Sequence, residues 1–222
     1  MRVELHCTRS TLHQLNPDSE PERKANRLRD RLKEATADAI LSAAEQVFAE
    51  QGLHAARMED IALRAGVSVG TLYNYFADRG TLFSELLESR RVELIQRVDD
   101  ALSEVRSSFE LELEALFRTL FEHFEDHRPF LSIVLAGEHV KDSGPDTGSR
   151  ETMRALYERF ERVVGHGLSS GALSHESAAL YPALLMGMAR GVLVRSLHDA
   201  AVGSTALHAR DVVRLFMRGA QR

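Results

Sequence analysis

His123 and His127 stand four residues apart, a spacing that puts two imidazoles on one face of a helix. Two imidazoles on one face can begin a zinc site. Glu122, Glu125 and Asp126 surround the pair, and His139 follows farther along. The pair lacks the inner glutamate of His-Glu-x-x-His and names no converging third ligand, so no metal and no cofactor is assigned. The chain contains no Gly-x-Ser-x-Gly elbow, Gly-rich phosphate loop, cysteine-based metal cluster or paired-carboxylate motif. Nothing in it recommends an enzyme.

A second set of side chains suits hydrogen bonding rather than ligation. Ser68, Val69, Gly70, Thr71, Tyr73, Asn74 and Tyr75 crowd into one short stretch. Small leading residues let a helix approach base edges, while hydroxyl, amide and phenol groups reach bases or phosphates. Such groups work only if an exposed helix presents them. Ala62 is small where two helices of a helix-turn-helix must cross, and Gly66, four residues on, tolerates positive φ in a tight turn. Ser68 is a natural N-cap for the second helix. Ile61, Val67 and Leu72 pack the pair against a helix carrying Val47 and Phe48. In that helix Ile40, Leu41, Ala44, Val47 and Phe48 repeat at helical spacing, and Gly52 supplies the stop. Phe76 reads as core.

In this order and spacing, residues from about 35 to 83 resemble the DNA-binding domain of the TetR family of regulators. The resemblance rests on an apolar first helix ending in Gly52, then Asp60-Ile61-Ala62 and the turn Ala65-Gly66-Val67-Ser68. It continues through Gly70-x-Leu72-Tyr73-x-Tyr75-Phe76 and a fourth helix opened by Arg79. It implies that Ser68, Val69, Thr71, Tyr73 and Tyr75 face DNA, with Arg79 holding a phosphate beside the N-cap Asp78. Two positions depart from the family pattern. Arg57 replaces a capping Thr or Ser, exchanging a hydroxyl for a phosphate-seeking charge. Gly80 replaces a helix former, at about 1 kcal/mol of local helix stability relative to Ala. The expected DNA-facing set is Arg57, Ser68, Val69, Gly70, Thr71, Tyr73, Asn74, Tyr75 and Arg79.

The remaining chain reads as helix throughout, so the fold class is all-α: a three-helix helix-turn-helix domain followed by a helical bundle for ligand binding and dimerisation. Residues 1–22 form a flexible arm, 23–80 the DNA-binding domain and 81–222 the effector-binding and dimerisation domain. Residues 22–33 carry six basic side chains against two acidic ones, a run that can track phosphates or lie solvated on a helix. Phe117, Phe121, Phe124, Met153, Tyr157, Phe160 and Met186 are the expected apolar lining of an effector pocket, although each fits a plain core as well. The last two helices are the expected dimer face, through Leu184, Met188, Gly191, Val192, Arg195, Val213, Phe216 and Met217. A short recognition helix reads few bases, so a homodimer on a palindromic operator is the physical expectation. The resemblance implies a repressor released from that operator by a small-molecule effector.

The bulk numbers fit this reading. The chain has 222 residues, 44% of them hydrophobic, and a net charge of -5. Any attraction to DNA must therefore be local. The single cysteine, Cys7, makes no internal disulfide, which suits the cytoplasm. No apolar run approaches the ~20 residues of a membrane span, and the N-terminus lacks the apolar core of a secretory signal. The competing reading is an adaptor whose helix-turn-helix binds protein.

Overall fold

A computed structural model describes residues 20–105, 108–137, 147–199 and 203–220. Cys7 and His139 lie outside the described residues, as does most of the expected arm. Among the described residues all regular elements are helical. They are α1 (Glu20–Gln51), α2 (Met58–Ala65), α3 (Val69–Tyr75), α4 (Arg79–Glu104), α5 (Phe109–Asp126), α6 (Arg128–Gly137), α7 (Thr147–Ser169), α8 (Tyr181–His198) and α9 (Ala209–Ala220). Single turns of 3-10 helix precede α8 (Ala178–Leu180) and α9 (Thr205–His208).

The chain divides into two compact units, one through Ala39 and one from Ile40. The described part of the first is the leading stretch of α1, whose residues 23–35 are exposed. Thr36 bonds back to the Leu32 carbonyl at 2.8 Å. The second unit holds two buried clusters. One gathers Ile40, Ala44, Val47 and Phe48 of α1 with Ile61, Ala62, Leu72, Phe76, Leu82 and Leu86. The other begins at Leu87 and draws on α4 to α9. Half-buried Phe83 packs on both, its ring edge-on to Phe48 at 5.4 Å.

Local chemistry sets the element ends. Gly52 stops α1 with φ +79°, and its N–H bonds to the Phe48 carbonyl at 2.9 Å. Ser108 caps α5 through the Leu111 N–H. Pro129 falls in the first turn of α6, where its missing N–H costs nothing. In α7, Gly167 is required by close approach, because a Cβ there would lie 2.8 Å from both Phe109 and Leu173.

One expectation needs correcting. The stretch Ala178–His198 is 21 residues long and its most apolar window has a mean hydropathy of 1.2, so it is long and apolar enough to cross a membrane by those measures. Arg190 and Arg195 break the apolar run, which is why reading uninterrupted runs passed over it. Only 28% of its most apolar window is buried within the chain.

Candidate nucleic-acid interface

The turn between α2 and α3 has the geometry its residues require. Gly66 adopts φ +70°, the left-handed region where a β-carbon is strained. Its N–H bonds to the Leu63 carbonyl at 3.2 Å, and the Val67 N–H to the Ala62 carbonyl at 3.0 Å. Those bonds satisfy carbonyls that a helix end leaves orphaned. Ser68 Oγ then accepts the Thr71 N–H at 3.0 Å and starts α3. Of the residues in α3 only Leu72 is buried, a single anchor contributing about 1.5–3 kcal/mol of apolar burial.

The rest of α3 points outward. Ser68, Val69, Gly70 and Asn74 are exposed, and Tyr73 retains 48% of its surface. Thr71 and Tyr75 are half-buried. Thr71 Oγ1 bonds Ser68 Oγ at 2.8 Å, and Tyr75 packs on the neighbouring core. A Cβ on Gly70 would meet only Ser68 Oγ, at 3.8 Å, so no packing within the chain demands glycine there. Phe76 is buried, as expected.

The cations around α3 are unequal. Arg57 is exposed, with Glu59 3.6 Å away, and it gives α2 no side-chain cap. Arg64 is spent on a two-pronged bond to Glu50, at 2.6 and 2.8 Å. Arg79 is half-buried, and its Nη1 donates to the His54 carbonyl at 2.6 Å and the Ala56 carbonyl at 3.1 Å. It thereby ties the start of α4 to the loop that precedes Arg57. Asp78 Oδ1 accepts the Thr81 N–H at 2.8 Å, and that bond holds its carboxyl below the usual range. Sequence reasoning found Arg79 but not its carbonyl partners, which lie 23 and 25 residues away.

A short capped helix on a glycine turn, anchored by one leucine and otherwise open, is the geometry of a helix-turn-helix reader. The sequence model described as "Bacterial regulatory proteins, tetR family" matches residues 40–86. Over residues 40–86 the chain matches the TetR family of regulators. Among the proteins it resembles, the HTH-type transcriptional repressor KstR2 of Mycobacterium tuberculosis is 36% identical over 88 residues, 40% of this chain and 44% of that one. The fatty acid metabolism regulator protein of Bacillus subtilis is 30% identical over 100 residues, 45% of each chain. The chain thus spans less than half the length of these curated relatives. The fold likeness reaches farther. The transcriptional regulator FadR of Bacillus subtilis, solved with stearoyl-CoA, superposes with a TM-score of 0.70. That match covers 82% of this chain and 98% of the other at 18% identity.

The seven residues expected around an effector separate. Phe117, Phe121, Phe124 and Phe160 are buried in the core. The Phe117 ring lies 5.7 Å from Phe121 and 5.5 Å from Phe160. Tyr157 and Met186 are half-buried, and Met153 is exposed. A cleft of about 710 Å³ opens instead beside Asp99, Ser103, Glu112, Arg162 and His166, and none of the seven lines it. The cleft shares Phe109 and Val163 with the core, so it adjoins the aromatic cluster. His166 Nδ1 and Glu112 Oε2 are 2.9 Å apart at its wall.

The expected dimer residues also divide. Leu184, Gly191 and Arg195 are exposed, and Met188 and Val192 half-buried. Val213, Phe216 and Met217 require correction, because they are buried in the chain's own core. The Phe216 ring meets Tyr181 edge-on at 5.5 Å. The inward stripe of α9 is as apolar as a dimer seam, and periodicity alone does not separate the two.

The histidine pair acquires a partner that sequence reading missed. Glu93 of α4, His123 and His127 present ligand atoms that all lie within 4.8 Å of one another. His127 Nε2 is 3.1 Å from Glu93 Oε1, and His127 Nδ1 is 3.5 Å from Glu45 Oε2. Burial lowers the His127 pKa, but the Glu45 and Glu93 carboxylates outweigh it and hold the imidazole above its usual value. Glu93 stands 34 residues from His127 and only tertiary packing joins them. The neighbours weighed as ligands turn elsewhere, Glu125 to Thr205 and Asp126 to Arg97.

Proposed function

We propose that this protein is a DNA-binding transcriptional regulator, a homodimeric repressor released from a palindromic operator by a small-molecule effector. One observation carries the reading: α3 exposes Ser68, Val69, Gly70, Tyr73 and Asn74 while Leu72 alone is buried within it. Residues 23–80 act as the DNA-binding domain and 81–222 as the effector-binding and dimerisation domain. Arg57 contacts phosphate, Tyr75 braces the reading helix, and Arg79 acts by holding the 54–56 carbonyls that set up Arg57.

The dimer reading is supported by α8 and α9. Leu180 and Leu184 retain 59% and 52% of their surface, and Leu207 and Leu215 retain 79% and 61%. Gly187 and Gly191 are exposed, with open space where a Cβ would stand. An apolar face of this kind on a monomer marks an interaction site, and a two-fold partner lets two α3 helices read both half-sites. The named ligand of the FadR structure, stearoyl-CoA, supports an effector with a long apolar part. Such a molecule enters by the cleft at Phe109 and Val163 and parts the Phe117, Phe121 and Phe160 rings. A cytoplasmic location follows from this role.

The test is selection of duplex DNA from a randomised pool by the full chain, followed by gel-shift titration. Enrichment of a two-fold symmetric sequence is expected. Indifference to every duplex at low salt would instead favour a protein-binding adaptor.

A further inference from the structure

His123 is completely buried, yet neither ring nitrogen has a hydrogen-bond partner. An unpaired imidazole in a core is costly, since a buried polar group is normally satisfied. Phe124 lies edge-on to its ring at 5.5 Å, and the His127 ring is 4.8 Å away. We propose that Glu93, His123 and His127 form a binding site for a first-row transition-metal dication such as Zn2+, separate from the DNA-reading surface.

Three features support that chemistry. The donors are two imidazoles and a carboxylate, the set that suits zinc and its neighbours when a further position is left to solvent or ligand. They come from α4, the last turn of α5 and the residue after it, and share a patch 4.8 Å across. Side-chain rotation contracts that spread to the roughly 3.3 Å between ligands implied by metal bonds of about 2.0–2.1 Å. The surroundings also orient the donors. Glu45 faces His127 Nδ1, so Nε2 is the nitrogen turned to Glu93. Glu45 is itself held by Arg90 Nε at 2.8 Å and by the Phe130 N–H at 3.3 Å. A carboxylate behind a ligating histidine fixes its tautomer and strengthens it as a donor.

Charge is accommodated as well. Glu45, Glu93 and Asp126 face Arg90 and Arg97, leaving an excess of one negative charge to meet a dication.

The experiment uses the full chain stripped of metal with a chelator and titrated with Co2+, then with competing Zn2+. The proposal expects one Co2+ per chain, visible d–d bands of a low-coordinate nitrogen–oxygen site, displacement by Zn2+ and a higher melting temperature with metal. Glu93→Gln and His123→Leu should each weaken binding at least tenfold and abolish the melting shift. His123→Leu removes no hydrogen bond, so it should fold and melt no lower than the metal-free parent. Glu45→Gln should weaken binding by about 10–100-fold while keeping the cobalt spectrum. Absence of stoichiometric binding, or unchanged affinity in Glu93→Gln and His123→Leu, overturns the site. A cobalt–thiolate band overturns it too, because it would assign the metal to Cys7.

Discussion

Tyr73 and Gly66 separate reading from scaffolding at single positions. Tyr73 is exposed and has no side-chain hydrogen bond among the described residues, so Tyr73→Ala should leave the melting temperature unchanged. It should weaken operator binding by roughly tenfold per half-site, as loss of a contact worth about 1–3 kcal/mol implies. Gel-shift titration beside thermal melting checks both. Gly66 is the converse. Its φ of +70° costs an L residue about 1–2 kcal/mol, so Gly66→Ala should lower the melting temperature by a few degrees. DNA affinity should suffer only as far as the turn shifts. Both residues were legible in the sequence, because turn chemistry and capping act over four or five positions. Arg79 was legible only in part, since its carbonyl partners come from a loop that local spacing does not bring near.

At the scale of elements, the helices were readable because a 3.6-residue apolar period, capping serines and stop glycines all act locally. What stayed hidden was which apolar stripe faces inward. Val213, Phe216 and Met217 of α9 turn to their own core, whereas Leu207 and Leu215 remain outside. Both stripes are apolar, so partner choice is decided by packing. The same holds for the join before α9. Glu125 of α5 accepts from Ser204 Oγ at 3.1 Å, from the Ala206 N–H at 3.2 Å, and from both the N–H and hydroxyl of Thr205. Those bonds, opposed by burial, hold its carboxyl below the ordinary range. Glu125→Ala orphans N–H groups at the turn carrying buried Thr205. It should destabilise the protein by about 1–3 kcal/mol, read as a lower denaturation midpoint at unchanged slope.

At the scale of the whole molecule, the proposed reading of a palindromic operator requires two copies of the chain. Leu184→Glu places a charge on the exposed face of α8 without touching the buried stripe of Tyr181, Leu185, Ala189 and Leu193. It should leave helical content intact while sedimentation reports a monomer. Operator affinity should then fall by at least a hundredfold, because one α3 reads too few bases. A dimer surviving both Leu184→Glu and Leu215→Glu would move the interface elsewhere.

The central claim is that α3 enters a major groove. Dimethyl sulfate interference on the selected duplex addresses it directly, because guanine N7 lies in that groove and adenine N3 in the minor one. The account predicts interference at guanine N7 in two symmetric half-sites, about one helical turn or a multiple of it apart. Interference confined to adenine N3, or a single unsymmetric patch, would contradict it.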